Sequence, residues 1–241
     1  MVSVSVRSAG SRKAPPGGDL LWGAISRASR TPNRIERDLT LPGFLIGGDF
    51  RSETATAYEL GYRATPLPRL SFSINAFYNI YDDLRTVSIT PATFLPLRLS
   101  NNGEAETWGV EAWGSYDVSP AWRLSAGVST LTKDYAAPLT PGDISGLVSI
   151  GDDPEYQVLV RSRHDLTDAI ELDVRLRAVD DLISVDGYVE ADVRLGWRLT
   201  DRLELSLSGQ NLIEDRHFET GDPVRARAFG RSVFGALQVS F

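Results

Sequence analysis

Three stretches between Ala169 and Asn211 alternate apolar with polar or charged residues, and this pattern limits the fold more than any other feature. Side chains of a β-strand point to opposite faces with a period of two residues, so each stretch has one apolar and one charged face. The apolar positions are Ile170, Leu172, Val174 and Leu176, then Val189, Ala191, Val193, Leu195, Trp197 and Leu199, then Leu203, Leu205 and Leu207. Long alternating strands joined by short turns, here Thr167-Asp168 and Thr200-Asp201, predict a transmembrane β-barrel with lipid outside and a wet lumen.

The composition is compatible with that fold. A chain of 241 residues can form one all-β domain. No run approaches the ~18 apolar residues of a membrane-spanning helix, whereas a barrel strand meets lipid only at alternate positions. A mean hydropathy of -0.16 therefore does not exclude a membrane protein. The net charge of -7 argues against nucleic acid as a partner, because nucleic acid binds basic surfaces.

The N-terminus and the cysteine count bear on export. The chain has no cysteine, which excludes disulfides, thiolate metal sites and cysteine nucleophiles. Residues 1–19 contain Arg7, Arg12 and Lys13 but no apolar segment after them, so they are not a secretory signal. Because a barrel must be exported, we expect a truncated form whose natural beginning is missing. We interpret residues 1–19 as a non-native or residual strand-and-turn segment and residues 20–241 as the barrel portion.

Turn residues divide the chain into ten strands, or eleven if Val2, Val4 and Val6 end a further strand. The predicted strands are 20–30, 53–65, 70–88, 97–118, 122–133, 155–165, 169–177, 189–199, 202–208 and 231–241. Short connections (65–69, 119–121, 166–168 and 200–201) alternate with longer ones such as 31–51, 134–154 and 214–230. In outer-membrane barrels the short turns are periplasmic and the long loops extracellular. The predicted fold is thus an antiparallel up-and-down barrel portion.

Aromatic residues support the membrane interpretation. We expect them near strand ends or on apolar faces, where barrels carry interfacial girdles. They are Tyr62, Tyr78, Tyr81, Trp113, Tyr116, Trp122, Tyr188 and Trp197. The alternative is that they belong to the core of a soluble β-sandwich, but the opposite face carries more charge than soluble sheets usually do.

Several short motifs occur in a fixed order along the chain. They are SRASRTP at 26–32, ET at 53–54, ELGY at 59–62, FYN at 77–79, WGVE at 108–111, LSGQNLI at 207–213, DRH at 215–217 and RSVFG at 231–235. In this order and spacing they resemble successive barrel strands of TonB-dependent outer-membrane receptors. The resemblance covers about residues 20–241.

The resemblance implies a C-terminal part of such a barrel. Receptors of this family enclose a plug inside about 22 strands, and neither the plug, the energy-coupling box nor the first half of the barrel is present in this sequence. We therefore expect a curled half-shell or a small closed barrel, with no active transport by this chain alone. The whole receptor would take up iron-siderophore complexes, cobalamin or a similar nutrient, with TonB as its energy-coupling partner. Ligand contacts would come from extracellular loops such as 31–51, with no individual residue identified.

The C-terminal strand carries a candidate targeting signal. Val233, Leu237 and Val239 alternate with polar or small residues and end at Phe241. This pattern resembles the signal recognised by the barrel-assembly machinery. The alternative is an apolar edge strand that happens to end the chain.

The charged face of the opening stretches should line the lumen. We expect cross-strand ion pairs there, because opposite charges on neighbouring strands stabilise a sheet. The residues are Glu171, Asp173, Arg175, Arg177, Glu190, Asp192 and Arg194.

Other function classes find less support. A small self-contained porin or adhesin is the first alternative, and an outer-membrane protease is the second. The acidic pairs Asp82-Asp83, Asp152-Asp153 and Asp180-Asp181 invite a protease or a calcium site, but each lies near a long loop, where a solvated rim explains it. His164 with Asp165 and Ser162 is not expected to form a triad, because strand neighbours point apart. We predict no enzyme activity, no cofactor and no metal.

Overall fold

A computed structural model describes residues 3–9 (backbone only), 18–34, 40–46, 50–90, 93–136, 151–183, 185–220 and 227–240. The fold is all-β, as the alternation predicts. Within those ranges no helix combines the length and the apolar character needed to cross a membrane. The strands are β1 Ser3–Ala9, β2 Leu20–Arg30, β3 Leu45–Ile46, β4 Glu53–Leu67, β5 Leu70–Ser88, β6 Leu97–Ser119, β7 Trp122–Thr130, β8 Thr132–Ala136, β9 Tyr156–Asp165, β10 Ile170–Val179, β11 Tyr188–Thr200, β12 Leu203–Gln210, β13 Arg216–Phe218, β14 Ala228–Gly230 and β15 Ser232–Val239.

One antiparallel meander forms the wall, in the order β1-β2-β4-β5-β6-β7-β9-β10-β11-β12-β15. Strands β7 and β8 both pair with β6 and continue the same register across Leu131, so they act as one interrupted strand. The path therefore contains eleven strands, and the prediction of ten or eleven is confirmed. Strands β1 and β15 are the two ends of this path and do not pair with each other among the described residues.

Two predicted loops contain strands that the alternation did not indicate. Within 31–51, β3 pairs in parallel with the start of β6. Within 214–230, β13 and β14 form a separate two-stranded hairpin. Strand bounds elsewhere lie close to the prediction, and β2 and β5 agree with it to the residue.

The apolar positions of successive strands form one continuous face. Residues directly opposite each other in a ladder share a face, and Leu172 lies opposite Leu195, which lies opposite Leu207. Many side chains of this face are exposed, among them Leu21, Leu60, Ile74, Val110, Val128, Leu176, Leu195, Leu207 and Leu237. An uncovered apolar surface of this extent is unfavourable in water and matches the lipid-facing band of a membrane barrel.

The height of this apolar face fits a bilayer. On β5 it extends from Leu70 to Ile80, and beyond this segment the same face carries Asp82. A tilted membrane strand needs about 9–11 residues to cross the hydrocarbon core. Tyr58, Tyr78 and Trp108 lie directly opposite one another at the long-loop border, as an interfacial girdle requires.

Three of the predicted girdle residues lie on the other face, namely Tyr81, Trp113 and Tyr188. Trp113 is opposite Ser73 and Gly127, so it shares the polar face with Glu111. Its side chain is exposed there. The lipid-facing girdle prediction is therefore wrong for these three residues, because the register of the whole strand, and not the residue type, decides the face.

The interruption at Leu131 leaves no room for a side chain at Gly109 of β6. The Leu131 N–H donates to the Glu155 carbonyl instead of pairing with β6. A Cβ atom placed on Gly109 would lie 2.0 Å from the carbonyl oxygen of Thr130. Backbone cannot move aside as a side chain can, so this position requires glycine.

We expect Gly109→Ala to lower the free energy of unfolding by about 1–3 kcal/mol because the added methyl group overpacks this contact. Gly127→Ala is the matched control, since its added Cβ would meet atoms no closer than 3.7 Å. Urea titration of the refolded chain measures both. Equal stability of the two variants would contradict the close approach at Gly109.

The lipid-facing assignment predicts a depth-dependent penalty for charge. Val174 lies on the apolar face in the middle of β10, opposite Val193. Val174→Arg should destabilise the chain in phospholipid vesicles by about 2–4 kcal/mol, the range for arginine facing the bilayer centre. Ser129→Arg, on the polar face of β7, should change stability by no more than about 0.5 kcal/mol. A reversed order of the two effects would show that the faces are assigned the wrong way round.

Candidate functional site

The polar face of β9 to β12 carries a lattice of ion pairs. Arg161 contacts Asp173 through two nitrogens, Arg163 contacts Glu171 at 3.0 Å, and Arg175 contacts Asp192. Three further pairs extend the lattice: Arg194 with Glu204, Arg194 with Glu171 at 3.7 Å, and Arg177 with Glu190 at 4.0 Å. The predicted cross-strand ion pairs of this face are confirmed.

Several of these pairs are diagonal in the sheet. Arg161 lies directly opposite Arg175, and Glu171 lies directly opposite Asp165. Like charges in directly opposite positions destabilise a sheet. Arg161 therefore contacts Asp173, and Arg163 contacts Glu171. Each carboxylate lies two residues away from the position directly opposite its arginine. These diagonal pairs give Arg161 and Glu171 an opposite charge where the direct register gives each of them a like charge.

The polar face of β4 to β7 has a different chemistry. Small neutral residues occupy much of it and contact one another through hydrogen bonds, while Arg123 forms an ion pair with Asp117 at its short-turn end. Ser71 and Ser115 lie 3.0 Å apart through their hydroxyl oxygens, and the Asn79 side-chain amide donates to Thr107 at 3.0 Å. The wall thus has a densely charged part and a largely neutral part.

A cluster of side chains covers the long-loop end of the charged part. Tyr188 is 6% exposed, and its hydroxyl donates to Glu219 at 3.0 Å. The His217 ring stacks on the Tyr188 ring, with centroids 3.9 Å apart and planes 9° apart. Arg177 lies 5.5 Å from the same ring and 3.5 Å from Glu219. This cluster attaches the β13–β14 hairpin to the polar face of β10 and β11.

A recess of about 240 Å³ opens beside this cluster. Wall residues, the described residues of the loops before β9 and after β10, and Phe218 with Glu219 contribute to it. Its lining includes Arg177, Val179, Tyr188, Asp180, Asp186 and Glu219. Acidic groups outnumber the one arginine, and that arginine already contacts Glu190 and Glu219. The recess is thus rich in hydrogen-bond acceptors.

A wider hollow of about 710 Å³ lies at the short-turn end of the same face. Charged residues of the lattice line it, namely Arg163, Asp165, Glu171, Arg198 and Glu204. The charged wall is therefore accessible from its short-turn end as well as from its long-loop end.

The histidine near the short turns belongs to the lipid-facing surface. Ser162 and His164 are two residues apart, so they share a face, and their side chains lie 3.0 Å apart. The Trp122 indole N–H donates to Ser162 at 3.1 Å and its ring stacks on His164. The expectation that strand neighbours point apart is therefore wrong for Ser162 and His164. It holds for Asp165, which lies opposite Glu171 on the other face, so the three residues form no triad.

The predicted acidic pairs form local contacts at the loop ends. Asp83 contacts Arg51 at 3.2 Å, and Asp153 contacts Lys133 at 3.2 Å. Asp152 accepts a hydrogen bond from the Ile183 N–H, and Asp181 accepts one from the Gly187 N–H. Among the described residues no group of three histidine or acidic side chains is placed to hold a metal ion.

The candidate assembly signal lies on the edge strand β15. Val233, Leu237 and Val239 share the apolar face, opposite Gly209, Leu205 and Leu203. All three are about half-exposed or more, and Phe241 lies outside the described residues. Recognition of this strand by the assembly machinery stays a prediction.

Sequence comparison identifies a family. The TonB dependent receptor-like β-barrel model matches residues 9–212. No curated protein sequence gives a significant match.

Solved structures of similar fold include receptors and transporters. The copper transporter OprC is 14% identical, with a TM-score of 0.70 over 96% of this chain and 39% of its own. The ferric enterobactin receptor PfeA from Pseudomonas aeruginosa is 18% identical, with a TM-score of 0.69 over 93% of this chain and 38% of its own. The siderophore receptor PirA from Acinetobacter baumannii is 17% identical, with a TM-score of 0.70 over 96% of this chain and 40% of its own. The likeness shows the fold, and this chain spans about 40% of each structure's length.

The ion-pair lattice predicts measurable coupling between Arg161 and Asp173. The double-mutant cycle of Arg161→Gln and Asp173→Asn should give a coupling energy of about 0.5–1.5 kcal/mol in urea titrations. The control cycle combines Asp173→Asn with Arg123→Gln, whose own contact is Asp117, and should give a coupling near zero. Additive effects of Arg161→Gln and Asp173→Asn would contradict the lattice.

Proposed function

Because this chain belongs to the TonB-dependent receptor-like β-barrel family, we propose that it forms part of the wall of an outer-membrane receptor for active nutrient uptake. The observation that carries the proposal is the two-faced sheet. Its apolar face suits lipid, and its polar face suits the aqueous interior of a large barrel. The ligand class we propose is an iron-siderophore complex, cobalamin or a similar nutrient too large for passive pores.

The direction of the edge strands indicates how the barrel closes. The path has eleven strands, so β1 and β15 run in the same direction. Closing the sheet on itself would join them in parallel, whereas an all-antiparallel barrel needs an even number of strands. An odd number of additional strands completes it, and about eleven more give the roughly 22 strands of outer-membrane transporters. The described sheet is then one half of the wall.

The charged part of the polar face supports a plug as internal partner. A barrel of about 22 strands encloses a lumen wide enough for a folded domain. Arg161 and Arg163 remain about half-exposed despite their ion pairs. Such groups can exchange a partner on the wall for one on a plug with little change in free energy. Movement of the plug by TonB would require this kind of weak, replaceable contact.

The long-loop end supports ligand entry. The recess and the hairpin lie there, on the polar face and outside the apolar band.

The C-terminal strand supports delivery to the outer membrane. Its exposed apolar residues Val233, Leu237 and Val239, with Phe241 after them, would be recognised by the barrel-assembly machinery before the edge is paired.

Uptake of radiolabelled ferric siderophores and cobalamin by cells producing the receptor that contains this wall tests the proposal. We expect accumulation of one of these ligands, and its loss when TonB is deleted. A variant with Val174→Arg is expected to reduce uptake through loss of folded receptor in the membrane. Accumulation that persists without TonB would instead indicate a passive pore and overturn the proposal.

A further inference from the structure

Three polar side chains form one hydrogen-bonded chain on the lipid-facing surface. The Trp122 indole N–H donates to the Ser162 hydroxyl at 3.1 Å, and the same hydroxyl oxygen lies 3.0 Å from the His164 Nε2 atom. The Trp122 and His164 rings also stack, with centroids 4.9 Å apart and planes 19° apart. One hydrogen bond and one stacking contact therefore hold the imidazole ring in a fixed orientation.

This chain of side chains lies at the short-turn border of the apolar face. Trp122 is the first residue of β7, and His164 is next to the last residue of β9. The two residues are directly opposite each other in the ladder, and Leu172 of β10 lies opposite His164 on its other side. The border of a barrel's apolar band is where acyl chains give way to lipid headgroups. His164 thus lies between the two.

The hydrogen bonds determine which ring nitrogen of His164 carries the hydrogen. An indole N–H can only donate, so the Ser162 oxygen accepts from Trp122. Among the described residues the Ser162 hydroxyl has no further contact than Trp122 and His164, so its own hydrogen is donated to Nε2. In a neutral imidazole one nitrogen accepts and the other donates. The Nδ1 atom of His164 is therefore the donor.

The Nδ1–H group of His164 has no acceptor within the part of the chain that the structure describes. The two ring nitrogens face away from each other, so Nδ1 is turned away from Ser162. The residue is half-buried, and Nδ1 does not belong to the fully enclosed polar atoms. A polar group at the edge of hydrocarbon costs free energy unless it is hydrogen-bonded. An acceptor from outside the chain would remove that cost.

We propose that His164 binds the phosphate group of one glycerophospholipid in the leaflet on the short-turn side. Phosphate oxygens are charged acceptors, which form stronger hydrogen bonds than ester carbonyls or water. Leu124 and Leu172, directly opposite Ser162 and His164, offer apolar surface to the acyl chains. Because Trp122 and Ser162 fix the donor in advance, lipid binding has less side-chain freedom to remove. The site rests on the membrane wall of the proposed function, but on neither a transported ligand nor TonB.

Native mass spectrometry of the full chain, refolded in detergent, tests the site. The probes are dioleoyl phosphatidylethanolamine and dioleoylglycerol, which have the same acyl chains and differ in the phosphate headgroup. We expect one phosphatidylethanolamine molecule to be retained per chain, and dioleoylglycerol to be retained much less. His164→Phe keeps a ring to stack on Trp122 but has no donor. It should weaken retention of phosphatidylethanolamine about tenfold, the loss expected for one hydrogen bond to a charged group.

Two further variants separate the hydrogen bond from the general properties of the border. Tyr116→Phe removes a hydroxyl from an exposed residue opposite Leu124, outside the chain of three side chains, and should leave retention unchanged. Ser162→Ala keeps His164 but no longer confines its hydrogen to Nδ1, so retention should fall about two- to threefold. Ser162→Ala also gives a result if His164→Phe fails to fold.

The proton position is measured separately by nitrogen-15 NMR. The chain contains two histidines, so labelled histidine in a His217→Gln background reports His164 alone. In alkaline buffer, where imidazole is neutral, we expect the signals of an imidazole protonated at Nδ1. Protonation at Nε2 would overturn the proposal, because the free nitrogen would then be an acceptor.

Equal retention of phosphatidylethanolamine by the unchanged chain and by His164→Phe would show non-specific lipid only and overturn the site. Equal retention of dioleoylglycerol and phosphatidylethanolamine by the unchanged chain would overturn it too, since the phosphate would then not be recognised. None of these readouts requires uptake or TonB, so a failure of the lipid site is distinguishable from a failure of the uptake proposal.

Discussion

Backbone hydrogen bonding in lipid is the constraint on which the whole structure depends. A strand in the hydrocarbon core has no water to satisfy its N–H and C=O groups, so every strand needs a neighbour on both sides. The continuous path of paired strands from β1 to β15 meets this requirement for the interior strands of the path. Along this path of described strands, β1 and β15 are the two that lack a second neighbour, and their shared direction determines which strands can complete them. The same constraint makes Gly109 necessary, since the interrupted strand brings a carbonyl against it.

The two faces of the sheet meet different physical requirements, one set by lipid and the other by water. Lipid requires only that the outer face be apolar, and leucine, valine and aromatic residues serve equally well there. The inner face must stay hydrated without repelling itself. Diagonal pairs such as Arg161 with Asp173 achieve this where the direct register places arginine against arginine. The resulting charged wall can accept a polar partner, whereas the β4 to β7 part of the face carries fewer ion pairs and more small neutral residues.

Alternation made most of the wall predictable from sequence, because its period of two fixes strand, face and approximate ends together. It could not predict Trp113, whose face is set by the register of the entire β6 strand. Nor could it predict β13 and β14, since three-residue strands within a polar loop are too short to show a period. The burial of His217 depends on that hairpin folding back onto Tyr188, a contact across 29 residues that no local pattern encodes. The recess could not be predicted either, because its shape also depends on the position of that hairpin.

The central claim is that one face of this sheet contacts lipid and the other contacts water. Single cysteines introduced in turn from Val189 to Trp197 on β11, each carrying a nitroxide label in vesicles, measure this directly through relaxation by oxygen and by a water-soluble nickel reagent. We predict a period of two. Labels at Val189, Ala191, Val193, Leu195 and Trp197 respond to oxygen, and labels at Glu190, Asp192 and Arg194 respond to nickel. Uniform access of nickel along the strand would contradict the account, because both faces would then be in water.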